Sequence, residues 1–194
     1  MDTPQTLGDV LADIDRRLAD AASYRSNPMH VPVVGTADGD MRIMVLRAYD
    51  PQTRTCRFHT DARAPKVRAI DADPAMALLF YDKKEKVQIR CRGNGRIERT
   101  GPVADAAWEE SSNFAKRCYL APLAPSAQAA EPTSNLPDDL EGVEPDAARV
   151  AEGRENFAVL LVELTHIDWF HLAHTGHRRA ALAAPDFTGS WIAP

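Results

Sequence analysis

The chain has 194 residues, 44% of them hydrophobic and 26% charged, and a net charge of −5 at pH 7. This length allows one domain with a sizeable core. The sequence has no apolar run long enough to span a membrane, and the acidic balance argues against general nucleic-acid binding. The N-terminal sequence lacks the basic-then-apolar layout of a signal peptide. Three widely spaced cysteines without a CxxC pair predict free thiols in a reducing cytoplasm.

The positive charges are concentrated in the middle of the chain. Residues 42–100 contain 14 Lys and Arg against 7 Asp and Glu, and the remainder is strongly acidic. A basic centre in an acidic chain favours a small anionic ligand over a polyanion. A solvated basic face on a sheet would have the same composition, so charge alone leaves both interpretations open.

The first half of the chain predicts a helix followed by strands. Apolar residues recur at helical spacing over 7–24. Two strands, 31–34 and 41–49, follow around an Asp-Gly turn at 38–40. A third strand is predicted at 55–60.

A short helix at 64–72 ends at an Asp-Pro pair. Residues 75–81 are almost wholly apolar, as expected of a central strand. Residues 87–98 predict a strand bent near Gly93 and Gly95, and 103–111 a helix.

A Pro-, Ala- and acid-rich stretch at about 121–152 predicts a long excursion with little to bury. Strand patterns return at 157–172, 178–183 and 189–192. About six strands with few intervening helices predict a mainly β (α+β) fold, an antiparallel six-stranded barrel with short flanking helices. We expect one domain over residues 1–194.

Several kinds of site lack their sequence signals. The chain has no GxGxxG, GxxxxGK[ST], GxSxG or HExxH motif. His171, His174 and His177 stand three apart, but in strand and turn that spacing does not converge on a metal. We therefore predict no metal site and no thiolate or serine nucleophile.

Anion binding has better support. Arg42 and Arg47 flank an apolar strand segment, and Lys66 stands at the start of a predicted helix, where backbone N–H groups also favour a phosphate. Gln88 precedes two arginines at alternate positions, so three long polar side chains share one strand face. Each feature alone also fits a solvated surface.

Taken in order, several short segments of the chain resemble the pyridoxamine 5′-phosphate oxidase family of FMN-binding split barrels. They are RIMVLR (42–47), FHT (58–60), Lys66, DPAMALLF (73–80), QIRCRG (88–93), IDW (167–169), HRR (177–179) and WIAP (191–194). The strength of the resemblance lies in ordered spacing over residues 41–93 and 157–194. It is closer to the broader FMN-binding relatives than to the vitamin-processing oxidase itself.

The resemblance implies a split β-barrel that forms a homodimer, with FMN at the subunit interface. Arg42 and Lys66 would hold the phosphate, and Gln88 would bond the polar edge of the flavin. Trp169 and Arg179 would come from the partner subunit, and Arg47 and His177 would face the substrate. The implied cofactor-binding residues are Arg42, Met44, Val45, Arg47, His59, Thr60, Lys66, Gln88, Trp169 and Arg179.

The sequence also departs from the family pattern. The usual Ser-Arg-Lys run is Ala64-Pro65-Lys66 here, which removes one hydroxyl and one cation. Arg63 is the candidate to replace the lost charge. His59 stands where the family has Tyr, and Arg47 where it has Lys.

We expect an FMN-dependent oxidoreductase acting on a small, unidentified substrate, with no side chain assigned as catalytic. One alternative is a non-catalytic flavin carrier or sensor. Another is a haem-binding split barrel with a ligand such as His174.

Overall fold

An antiparallel sheet of nine strands organises the computed structural model, which describes residues 3–194. The first two residues of the predicted domain lie outside the described residues. The strands are β1 (Val33–Thr36), β2 (Met41–Ile43), β3 (Ala48–Asp50), β4 (Thr55–Asp61), β5 (Ala75–Asp82), β6 (Val87–Glu98), β7 (Phe157–His171), β8 (Arg178–Ala183) and β9 (Thr188–Trp191).

Five helices flank the sheet: α1 (Leu7–Ser23), α2 (Pro65–Ala72), α3 (Pro102–Glu109), α4 (Asn113–Lys116) and α5 (Ala147–Ala151). Within residues 3–194, no helix has both the length and the apolar character that crossing a bilayer would take. The predicted excursion has little regular structure besides α5 and one helical turn at Asp138–Leu140.

Strand β7 divides the sheet. It pairs with β6 along most of its length, whereas β4 pairs with its first half and β8 with its second half. The β6–β7 register shifts between Arg92 and Gly93, where a Cβ on Gly93 would lie 2.3 Å from the Glu163 carbonyl oxygen. Because of this bend, the long strand β7 pairs with β4 in one half of the sheet and with β8 in the other half. This produces the split-barrel arrangement.

Helix α1 covers the main core. Its Thr6 cap accepts from the Asp9 N–H, and Asp9 accepts from the Thr6 N–H in return, an arrangement that fixes the helix start. Val10, Ile14 and Leu18 are fully buried against the sheet. The predicted helix is confirmed, because its apolar stripe has a sheet to pack on.

The predicted strand at 41–49 is wrong in one respect. Only Met41–Ile43 and Ala48–Asp50 are strands, and residues 44–47 between them form no ladder. The N–H of Met44 donates to Pro32, that of Leu46 to His30 and that of Arg47 to Arg57. Segment 44–47 thus crosses from the part of the sheet that contains β2 to the part that contains β3. For this reason it does not pair continuously with one neighbouring strand.

Strand β5 has one buried face and one exposed face, although its apolar sequence predicted burial on both. Leu78 and Phe80 are buried, whereas Leu79 and Tyr81 are 37% and 45% exposed. In register, Tyr81 lies opposite Gln88 and Leu79 opposite Arg90. We call the sheet face that carries Leu79, Tyr81, Gln88, Arg90 and Phe170 the outer face.

Candidate functional site

A cavity of about 440 Å³ lies beside the unpaired segment 44–47. It brings together seven of the predicted cofactor-binding residues, which come from three separate stretches of the chain. They are Arg42, Met44, Val45, Arg47, His59, Thr60 and Lys66.

The cationic end of this pocket contains two predicted phosphate ligands. The Arg42 guanidinium donates to the Thr36 hydroxyl at 3.2 Å and is ion-paired with Asp40. The Lys66 ammonium donates to the Thr60 hydroxyl at 3.1 Å. Burial lowers the pKa of Lys66, and the neighbouring Arg42 charge lowers it further. An anion bound between the two cations would offset their mutual repulsion.

The backbone of segment 44–47 supplies a directed donor. The N–H groups of Met44 and Leu46 donate to carbonyl groups of the flanking chain. The Val45 N–H, which lies between them, has no hydrogen-bond acceptor among residues 3–194. Val45 lines the cavity, so this peptide can bond a polar ring edge while neighbouring side chains form an apolar wall.

His59 lies in the wall as a neutral imidazole. Burial, with smaller contributions from the Arg47 and Arg57 charges, lowers its pKa to about 3. The ring packs edge-on against Phe157, with ring centres 5.0 Å apart. Among residues 3–194 its buried Nε2 has no hydrogen-bond partner. His59 therefore offers an uncharged polar surface at physiological pH.

The remaining wall comes from the excursion and its approach, where the sequence had assigned no individual site residue. The Asn135 amide bonds both backbone groups of Leu123, at 2.8 and 3.1 Å, and so ties the excursion together. No periodic pattern marks this stretch, so the sequence offers no signal for these contacts. The wall residues are Cys118, Tyr119, Ala121, Pro125, Ser134, Asn135 and Leu136.

Arg63 does not replace the missing phosphate cation directly. It lies outside the lining of the cavity and forms an ion pair with Asp61, which does line it. Its guanidinium also donates to the Ala121 carbonyl at 3.0 Å. The expectation that Arg63 supplies a second charge to the ligand is therefore wrong in its simple form.

Gln88 and Arg179 lie on the outer face, away from the cavity. Gln88 stands opposite Phe170, and Phe170 stands opposite Arg179, so the three form one row across β6, β7 and β8. The Arg179 guanidinium donates to Asp168 at 2.7 and 3.0 Å. These side chains do not meet Lys66 within one protomer.

His177 lies beside this row. Its ring is 5.7 Å from that of Phe170, and together with Arg179 and Trp191 it lines a shallow pocket of about 320 Å³. The predicted substrate-facing residues Arg47 and His177 are thus on different surfaces of the protomer.

Trp169 lies in the core. It is 1% exposed, and its indole N–H donates to Asp13 of α1 at 3.0 Å. Since side chains alternate along β7, Trp169 points inward while Asp168 and Phe170 point outward. A flavin contact from Trp169 stays a prediction, and its burial leaves little surface to meet it.

The histidines do not form a metal centre. No group of three potential metal-binding His, Cys, Asp or Glu side chains occurs within residues 3–194. His174 is exposed in the turn between β7 and β8.

A second cavity, of about 560 Å³, lies against the outer face. Met41, Ala77 and Leu79 contribute to its mainly apolar lining, and the Arg90 in its wall is ion-paired with Asp168. A flat, phosphorylated ligand needs several cations and directed donors beside an apolar surface. The cavity of about 440 Å³ is lined by Arg42, Arg47 and Lys66 together with the backbone of segment 44–47, so we regard it as the candidate site.

Comparison with known proteins finds a family model that matches part of the chain. Residues 15–99 match the family model described as pyridoxamine 5′-phosphate oxidase, FMN-binding domain. Over these residues the chain is similar to the pyridoxamine 5′-phosphate oxidase family. FMN is the cofactor of the matched domain, and the match includes Arg42, the segment 44–47, Lys66 and Gln88.

Curated relatives show the same similarity. The pyridoxine/pyridoxamine 5′-phosphate oxidase of Caulobacter vibrioides is 30% identical over 125 residues, covering 62% of this chain and 51% of the oxidase. The oxidase of Nitrobacter hamburgensis is 32% identical over 103 residues, covering 51% and 44%. The chain spans about half the length of the curated relatives it matches.

Solved structures share the fold. A pyridoxamine 5′-phosphate oxidase-related, FMN binding protein from Nostoc punctiforme PCC 73102 superposes with a TM-score of 0.71 at 22% identity, covering 94% of this chain and 96% of that one. PhzG from Burkholderia lata 383, in complex with tetrahydrophenazine-1-carboxylic acid, gives 0.64 at 16%, covering 100% and 95%. The predicted split-barrel fold is confirmed, although the sheet has nine strands rather than six.

The candidate pocket fits this cofactor. Its volume lies within the range of small-molecule sites. Arg42 and Lys66 match a phosphate, and the Val45 N–H matches a polar ring edge. The unpartnered Nε2 of His59 leaves a polar atom in the same wall. The donor set is therefore the kind that a phosphorylated flavin requires.

Proposed function

We propose that this chain binds FMN in the candidate pocket and acts as an FMN-dependent oxidoreductase on a small substrate. The observation that supports this most directly is the convergence of Arg42 and Lys66 on one cavity. These cations are distant in sequence and come from different elements, β2 and α2. A phosphate is the group on a flavin cofactor that such a pair would bind.

Each group in the pocket has a distinct part in this proposal. Arg42 and Lys66 hold the phosphate, and Thr60 keeps the ammonium in place. The Val45 N–H orients the ring, and the excursion wall limits the entry of water. Bound FMN would supply the redox chemistry, and the protein would supply position and electrostatics.

Arg47 ends the segment 44–47, five residues after Arg42 in β2. At ~3.3 Å per extended residue the two lie up to about 16 Å apart along the chain, which separates a substrate end from a phosphate end. We propose that Arg47 faces an anionic or polar substrate there. The substrate is a small molecule of unidentified structure, and the acceptor of the electrons is likewise unidentified.

We further propose a homodimer with the flavin near the subunit interface. The outer face exposes Leu79 and Tyr81, and the adjacent β2 exposes 69% of both Met41 and Ile43. An apolar surface of this kind is typical of an interface. Ile43 also lines the pocket, so a subunit packed there would reach the flavin with residues such as Gln88, Arg179 and His177.

An absorption spectrum of freshly purified protein tests the cofactor. Flavin bands in the blue would support the proposal, and a Soret band would instead indicate haem. Anaerobic addition of NADH or NADPH, followed by air, then tests turnover. Bleaching and reoxidation support an oxidoreductase, whereas bound FMN that no nicotinamide or amine donor reduces would favour a carrier or sensor.

A further inference from the structure

Asp61 is an unexpected neighbour for a bound phosphate. This carboxylate is 9% exposed and lines the candidate pocket. Its charge acts on Lys66, where it opposes the lowering of the pKa by burial and by Arg42. A carboxylate and a phosphate dianion repel each other, and partial burial strengthens that repulsion. A phosphate site at this position needs the Asp61 charge to be offset.

Arg63 offsets that charge with close geometry. Its Nε and Nη2 donate to the two carboxylate oxygens of Asp61 at 3.1 and 2.8 Å, and its backbone N–H donates to the same carboxylate at 2.8 Å. The two guanidinium bonds form the bidentate arrangement that arginine makes and lysine cannot. The carboxylate raises the pKa of Arg63, so the pair stays charged.

The same guanidinium reaches the excursion. Its Nη1 donates to the carbonyl of Ala121 at 3.0 Å, and Ala121 is part of the pocket wall. One side chain therefore joins the end of β4 to the first wall residue of the excursion. This accounts for an arginine at position 63 that lies outside the cavity.

We propose that Arg63 is a positioning residue for the phosphate end of the pocket. It neutralises Asp61 and fixes the wall at Ala121, and it does not touch the ligand. This inference rests on the proposed function, in which FMN occupies the pocket. Asp61 is the carboxylate that acts on Lys66, and its ion pair with Arg63 balances its charge. Removing Arg63 would leave that negative charge unbalanced beside the phosphate.

The test compares FMN with riboflavin, which has the same ring and no phosphate. For Arg63→Gln we expect the ratio of FMN affinity to riboflavin affinity to fall by about tenfold or more. The unpaired Asp61 carboxylate would repel the phosphate of FMN, whereas riboflavin has no phosphate to repel. The double variant Asp61→Asn/Arg63→Gln removes both charges, and we expect most of the ratio to return. Arg63→Lys keeps the positive charge but cannot form the bidentate hydrogen bonds to Asp61, so it should give an intermediate ratio. Arg68→Gln, an exposed cation on α2, is the matched control.

A merely structural role for Arg63 gives different results. It would weaken FMN and riboflavin equally, and the double variant would recover nothing, so either outcome would overturn the inference. If Arg63→Gln does not fold, the ratios of Arg63→Lys and of the double variant decide the question. Wild-type protein that fails to bind FMN would refute the proposed function, whereas wild-type binding with an unchanged ratio in the variants would refute this inference alone.

Discussion

The ammonium of Lys66 donates a hydrogen bond to the hydroxyl of Thr60 over 3.1 Å. The bond joins the first turn of α2 to the end of β4, and it holds the lysine at the side of the pocket where Arg42 also lies. The proposed phosphate site is thus assembled from three elements. The affinity of this site for a phosphate depends on the contacts that hold each cation in position as well as on the presence of the cations.

Removing either cation should weaken FMN binding. We expect Arg42→Ala and Lys66→Ala each to cost about 1.5–3 kcal/mol of binding free energy, as for a hydrogen bond to a charged group. Titration of flavin fluorescence measures this cost. Arg68→Ala removes an exposed arginine from the same helix as Lys66 and is the control. Unchanged flavin affinity in both pocket variants would exclude the phosphate site proposed here.

Replacing Trp169 should affect folding before it affects the flavin. Trp169→Phe loses the bond to Asp13, which should lower the free energy of unfolding by about 1 kcal/mol. Trp169→Ala also leaves a cavity and should cost about 3–5 kcal/mol. Urea denaturation gives these values. If folded Trp169→Phe instead loses FMN affinity with little loss of stability, Trp169 contacts the flavin of a partner subunit.

The buried imidazole of His59 should make stability depend on pH. An unfolded histidine takes up a proton below about pH 6.5, whereas folded His59 does so only near pH 3, since its pKa is lowered to about 3. Between these values the unfolded state binds more protons, so the His59 contribution to stability is present above about pH 6.5 and is lost as the pH falls.

The substitution His59→Phe isolates this contribution. It should flatten the decline in unfolding free energy between pH 6.5 and pH 4 by up to about 1.4 kcal/mol per pH unit, the slope for one proton. Denaturation in urea at a series of pH values measures the slopes. Parallel curves for the variant and the wild type would show that the folded imidazole takes up its proton normally.

A charge on the outer face should disrupt the proposed dimer. Leu79 is 37% exposed on β5, and Val103 on α3 is exposed to almost the same extent, at 38%. We expect Leu79→Glu to be monomeric by light scattering, because an unpaired carboxylate is costly to bury at an interface. Val103→Glu should leave the mass unchanged. A dimer that persists in Leu79→Glu would place the interface elsewhere.

Flavin affinity in Leu79→Glu then tests whether the site is shared. The substitution lies outside the candidate pocket, so a loss of FMN together with the dimer would indicate partner residues at the flavin. Full FMN affinity in a stable monomer would show that one protomer holds the cofactor without help from Gln88, Arg179 or His177.

Local patterns predicted most of the strands and helices. Apolar side chains recur at helical spacing along Leu7–Ser23, and apolar and polar side chains alternate along Val87–Glu98. The spacing of such patterns follows directly from the backbone geometry of a helix and of a strand. The Asp-Gly turn before Met41 was also recognisable, since its residues favour tight turns. These features need no knowledge of what lies nearby in space.

The pocket could be predicted only in part. Seven site residues were identifiable from ordered spacing, and the structure brings them together: Arg42, Met44, Val45, Arg47, His59, Thr60 and Lys66. Asn135 and Ala121 were not, because the excursion has no period and its contacts are single hydrogen bonds between distant residues. Trp169 was ambiguous for a related reason: only the packing of α1 gives its indole a partner in Asp13.

The amino-acid sequence by itself determined the kind of fold, the order of its elements and the concentration of cations in its centre, because propensity, period and composition are local properties. The tertiary structure alone decided which of those cations face one cavity, which lie on the outer face, and that Arg63 is paired with Asp61 instead of serving a ligand. Those choices depend on strand register and on the path of a patternless segment, and both are fixed only when distant parts of the chain pack together.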